Sequence, residues 1–120
     1  VRRTGPTNYV LRKTIRVLRS YANRYNAAIW RYLAELLEKP ARKRIVVNIS
    51  KINRYTDDGD IIVVPGKVLG AGNLDHKVTV AAIAFSQQAI QKIKAAGGNV
   101  MHILELLQIN PKGGNIKVII

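Results

Sequence analysis

Arg12, Arg16 and Arg19 stand four and then three residues apart, the spacing that sets side chains in a row along one face of an α-helix. A guanidinium holds a phosphate through two parallel N–H donors and stacks on flat rings, so a row of three is chemistry for a polyanion. The alternative is a solvated helix face, but no acidic residue lies nearby in the sequence to pair with the row. Further cations fall into separate groups. Arg2 and Arg3 belong to a basic arm at residues 1–6, expected to be flexible when free. Arg42, Lys43 and Arg44 form a basic run, followed by Lys51 and Arg54. Lys67, Lys77 and Lys112 accompany glycine-bearing loops. These thirteen residues make three candidate contact zones for nucleic acid: the arm with the helix row, the basic run with the turn after it, and the loop set.

Other chemistry finds little material. His76 and His102 are the only histidines, too far apart for a helical metal pair and without a carboxylate at ligand spacing. Asp57, Asp58 and Asp60 cluster where a turn is expected, a common place for aspartate. With no cysteine, thiolate metal sites, disulfides and thiol catalysis are excluded. The loop Pro65 to Asn73 carries Gly66, Gly70 and Gly72, but no Lys-Ser or Lys-Thr follows the last glycine, so it is not a P-loop, and its spacing is not a dinucleotide fingerprint. It is a tight turn between strands or a backbone surface for RNA. No catalytic residue, metal, cofactor or small-molecule substrate is expected, and the chain is not read as an enzyme.

The elements that would position these cations follow from periodicity. Leu11, Ile15, Leu18 and Ala22 give one apolar face of a first helix, with Thr7 or Asn8 as its cap and the arginine row rotated by about 100°. Ser20 to Asn26 is expected to break it. Asn26 is a cap for a second helix, whose apolar face is Ile29, Leu33, Leu36 and Leu37 and which Pro40 stops. From residue 45 onward short strands and short helices alternate: strands at 45–49, 61–64, 78–84, 99–102 and 116–120, helical turns at 52–55, 86–96 and 103–109. The class is α/β: two N-terminal helices, then short strands and helices in which β-β-α units fit.

The totals agree with a polyanion partner. The 120 residues make one domain, 1–120, and 48% apolar content suffices for a core. Twenty Lys and Arg against seven Asp and Glu give a net charge of +13, which repels itself in any compact state. Residues 1–60 hold 14 basic and 5 acidic residues, net +9, and include all ten arginines and six of the seven aromatics. Arginine with aromatic rings suits RNA, although Tyr and Trp also pack cores. No stretch approaches the ~20 apolar residues of a membrane span, so no membrane partner is expected. No recognition-helix, basic-zipper or zinc-finger pattern points to DNA.

Several stretches together carry a resemblance. They are Arg42-Lys43-Arg44-Ile45-Val46-Val47-Asn48-Ile49-Ser50-Lys51-Ile52, Val64-Pro65-Gly66-Lys67-Val68-Leu69-Gly70-Ala71-Gly72, Val80-Ala81-Ala82 with Phe85-Ser86, Ala89, Ile93, Ala96-Gly97-Gly98, and Asn110-Pro111-Lys112-Gly113. In order and spacing they resemble the archaeal and eukaryotic large-subunit ribosomal protein family eighteen-e, of which bacterial large-subunit ribosomal protein fifteen is a relative. The Val64-to-Gly70 stretch looks like the archaeal version. The resemblance covers essentially the whole chain. It implies irregular β-β-α units wound as a short superhelix behind packed N-terminal helices. It also implies a structural role in translation: a cytoplasmic protein of the large ribosomal subunit that binds and stabilises folded ribosomal RNA beside neighbouring ribosomal proteins.

Overall fold

Leu11, Leu18 and Ala22 are buried on one side of a 20-residue helix, α1 (Pro6–Tyr25), which opens the part of the chain, residues 6–39 and 45–120, that a computed structural model describes. Arg2, Arg3, Arg42, Lys43 and Arg44, and the arm apart from Pro6, lie outside the described residues. α1 runs through the segment expected to break it. Tyr21, Ala22 and Tyr25 continue the apolar stripe at helical spacing and pack on the core, so tertiary burial overrides a local composition that reads as a break. The helix ends at Asn26, whose φ of 52° is left-handed, and Asn26 is therefore a terminator of α1. The cap position of α2 (Ala28–Leu37) falls to Ala27, with no side-chain bond.

Among the described residues five strands form one sheet, all pairs parallel: β1 (Ile45–Asn48), β2 (Ile61–Leu69), β3 (Thr79–Phe85), β4 (Asn99–His102) and β5 (Ile116–Val118). The order is β1-β2-β3-β4, with β5 also on β2. β3 takes one edge of β2, while β5 pairs with Ile61–Val63 and β1 with Gly66–Leu69, so β5 and β1 share the other edge end to end. The short helices α3 (Ile49–Tyr55), α4 (Gln87–Ala95) and α5 (Ile103–Ile109) lie between strands. This is the mixed α/β class expected, with two helices first.

β2 absorbs half of the expected glycine loop. Its register shifts between Val64 and Lys67, a bulge that accommodates Pro65, which has no N–H for the ladder. Gly66 lets β1 come close there: a Cβ on it would overlap the Ile45 carbonyl oxygen. Alternation along the strands divides the core. Val63 and Ala81 face α1, α2 and α5, whereas Ile62, Val64, Val80 and Ala82 face Ile49 and Ile52 of α3 and Ala89 and Ile93 of α4. The sheet is thus covered on both faces, as a parallel sheet requires.

Candidate nucleic-acid interface

Burial of Leu11, Thr14, Leu18 and Ala22 turns the opposite side of α1 outward. Arg12, Lys13, Arg16, Arg19 and Arg24 are all exposed there, and α1 contains no acid. Lys13 and Arg24 widen the basic side beyond the row read from the sequence; eleven residues apart, they align with each other about 100° around the helix from that row, so periodicity alone could have found them. Arg19 differs from its neighbours. Its Nη2 donates to Oε1 of Glu38, just past the end of α2, with both side chains about half exposed. An acid does pair with the row, brought there by the α1–α2 packing and not by sequence proximity.

Lys51 and Arg54 of the second zone lie on α3. The Lys51 ammonium donates to the Ile120 carbonyl oxygen. The Arg54 guanidinium sits 5.8 Å from the Tyr55 ring centroid, and both side chains are exposed. Lys67, Lys77 and Lys112 are exposed too, but the structure does not gather them into one loop cluster. Lys67 lies within β2, level with Ala84 of β3, while Lys77 precedes Thr79 at the start of β3. That offset separates them by roughly 20 Å along the strands. Lys112 sits in the turn after α5, where its neighbour Pro111 accepts a hydrogen bond from buried Trp30 at 2.7 Å.

What remains of the glycine loop, Gly70 to Asn73, is folded against the protein. Lys92 of α4 donates to the carbonyl oxygens of Gly70 and Gly72 at 2.6 and 2.5 Å. Gly72 adopts a φ of 103° with Ser50 against it, and Ser50 N–H donates to the Ala71 oxygen at 3.0 Å. The loop's carbonyls thus converge on a cation of its own chain, a packing arrangement and not a phosphate cradle. Lys92 stands about twenty residues from the loop, and no sequence signal links them.

The aromatics sort into two groups. Trp30 is fully buried, and Tyr21 and Tyr25 pack on each other at 5.6 Å and against the core. Tyr9, Tyr32 and Tyr55 are exposed. Each histidine has an acid beside it after all, as a hydrogen-bond partner. His76 Nδ1 lies 2.8 Å from Asp75 Oδ1, which holds the Asp75 carboxyl below its ordinary value. His102 caps α5: its Nδ1 accepts from Leu104 N–H at 3.1 Å, and its own N–H donates to Glu105 at 3.0 Å. The three clustered aspartates build the turn before β2. Asp60 accepts from Asp57 N–H at 2.7 Å and pairs with Lys117 at 2.8 Å, and Asp58 accepts from Lys77 N–H at 3.2 Å. Among the described residues no cluster of three potential metal ligands occurs.

Residues 29–101 match the family described as ribosomal proteins 50S-L15, 50S-L18e and 60S-L27a. The chain belongs to this family. It is 46% identical over 117 residues to large ribosomal subunit protein eL18 of Pyrobaculum aerophilum, spanning 98% of this chain and 96% of that one. It is 50% identical over 119 residues to the Methanothermobacter thermautotrophicus protein of the same name, spanning 99% and 98%. With the Sulfolobus acidocaldarius protein of that name it shares 54% over 104 residues, spanning 87% and 85%. The resemblance to the archaeal type is thus confirmed. Family membership, and not the absence of a catalytic site, places the chain among structural ribosomal proteins and outside the enzymes. No helix among the described residues is long and apolar enough to cross a membrane.

Proposed function

We propose that this chain, acting as one domain over residues 1–120, is a structural constituent of the large ribosomal subunit that binds and stabilises folded large-subunit ribosomal RNA in the cytoplasmic ribosome, beside neighbouring ribosomal proteins. The observation that carries the reading is the outward face of α1, where five cations are exposed and the helix has no acid. Arg12, Lys13, Arg16 and Arg24 are the principal contacts, with Arg19 held back by Glu38. Arg2, Arg3, Arg42, Lys43 and Arg44 supply further contacts. Lys51 with Arg54, and the dispersed Lys67, Lys77 and Lys112, supply separate contacts. Phosphate neutralisation provides the affinity, and RNA shape, the 2′-OH and a few stacked bases provide the selectivity. Co-sedimentation of the tagged protein with ribosomal subunits across a salt gradient tests this. The protein should stay with the large subunit until high salt. Release at low salt with naked nucleic acid still bound would refute the ribosomal assignment.

A further inference from the structure

Tyr55, at the end of α3, is 56% exposed and forms one wall of a cleft of about 500 Å³. The cleft is otherwise lined by Lys51, Lys117, Val118, Ile119 and Ile120. Its size falls in the range of sites that hold one small molecule, roughly 300–1,000 Å³. It combines a flat aromatic wall, aliphatic side chains from the segment after β5, and cations at its rim. Lys117 pairs with Asp60 at 2.8 Å, Lys51 donates to the Ile120 main-chain oxygen, and Arg54, beside the lining residues, lies over the Tyr55 ring without an ion pair among the described residues. Lys51 and Lys117 in the lining, with Arg54 beside it, outnumber the one carboxylate side chain, Asp60, and give this apolar cleft a positive rim. An apolar partner would leave that charge unanswered, and a base stacked within a duplex presents no free face to the ring. An extruded nucleotide satisfies both halves of the site.

We propose that the cleft between α3 and the β5 segment takes a single unstacked nucleotide of the bound RNA, its base against Tyr55 and its phosphate between Lys51 and Lys117. The inference rests on the RNA-binding reading above and adds a stacking subsite to it. Aromatic stacking tolerates any base, because every base offers a π-face.

The test uses the full chain and two RNA hairpins that differ only by one bulged adenosine, with affinities read by fluorescence anisotropy. The wild-type protein should prefer the bulged hairpin by about tenfold. Tyr55→Phe should keep that preference and Tyr55→Leu should lose it, with the plain hairpin bound equally by all three. Zero-length ultraviolet crosslinking should join the bulged base to Tyr55, a readout that needs no variant. A wild-type protein without preference, or a Tyr55→Leu protein that retains it, overturns the inference alone. A wild-type protein that binds neither hairpin overturns the RNA reading with it. Combined Arg12→Ala and Arg16→Ala should weaken both hairpins equally, which separates the helix track from the cleft.

Discussion

Arg19 on α1 reaches across to the carboxylate of Glu38 beyond α2, and so one member of a basic row otherwise unpaired among the described residues is held by a charge nineteen residues away in the chain. An ion pair this exposed contributes ~0–1 kcal/mol to stability. Its larger effect is on the field of the α1 face: Glu38 removes one cation and adds one anion beside the remaining four.

Glu38→Gln should therefore leave the denaturation midpoint nearly unchanged while tightening RNA binding by about threefold, on the order of one freed phosphate contact at moderate salt. Arg19→Gln should weaken binding less than Arg16→Gln. Anisotropy titrations at fixed salt check both; an Arg19→Gln effect equal to that of Arg16→Gln would show that the pair opens on RNA.

Salt dependence measures the helix track directly. With about eight phosphates neutralised, log K against log salt should slope near −7, a figure carried over from duplex DNA. Replacing Arg12, Lys13 and Arg16 together with Gln should make the slope shallower by about 3, roughly one for each phosphate left without its cation. The fold should survive, because all three side chains are exposed. A slope near zero in the parent protein would exclude a phosphate track.

At Gly66 a Cβ would overlap the Ile45 carbonyl of β1, and the obstacle is main chain, which cannot swing away as a side chain can. Gly66→Ala should cost about 3 kcal/mol or more by chemical denaturation, in the range of overpacked cores. Gly114→Ala is the control: a Cβ there meets nothing within 4 Å, and the cost should stay within about 0.5 kcal/mol.

His102 gives a pH dependence with a definite sign. Burial lowers its pKa below the ordinary 6.5, with Glu105 opposing. The cap requires an unprotonated Nδ1 to accept from Leu104 N–H, which leaves the ring proton on Nε2, a buried atom with no partner among the described residues. The unfolded chain therefore binds this proton more readily than the folded chain. Stability is fully present above about pH 6.5 and is lost as the pH falls below that value toward the lowered folded one. His102→Asn retains a capping oxygen without the titration. The difference in melting temperature between parent and variant should move against the parent between pH 7 and 5; a constant difference would show that the ring does not titrate in the cap.

Much of the fold was legible because it is local. The spacing of Leu11, Leu18 and Ala22 fixed the buried side of α1 and hence its basic side, and the β-branched runs at 45–49 and 61–64 located β1 and the first half of β2. What was missed depends on residues distant in sequence. The extension of α1 through Tyr25 needs the core that Tyr21 and Tyr25 pack against. The strand character of Pro65 to Leu69 needs β1 alongside. The same holds for the candidate interface. The arginine row was visible, whereas Glu38 on Arg19, Lys92 on the glycine loop and the cleft beside Tyr55 arise only when separate segments meet.

β2 is flanked on one edge by two strands of very different chain distance. β1 is the strand before it, with only α3 between, while Ile116 pairs with Ile61 some fifty-five residues later. During synthesis at roughly 5–20 residues per second, the first half of β2 waits on the order of several seconds for its last neighbour. A strand kept open that long offers unpaired N–H and C=O groups to any other nascent chain. β5 is therefore the strand that covers the exposed first half of β2.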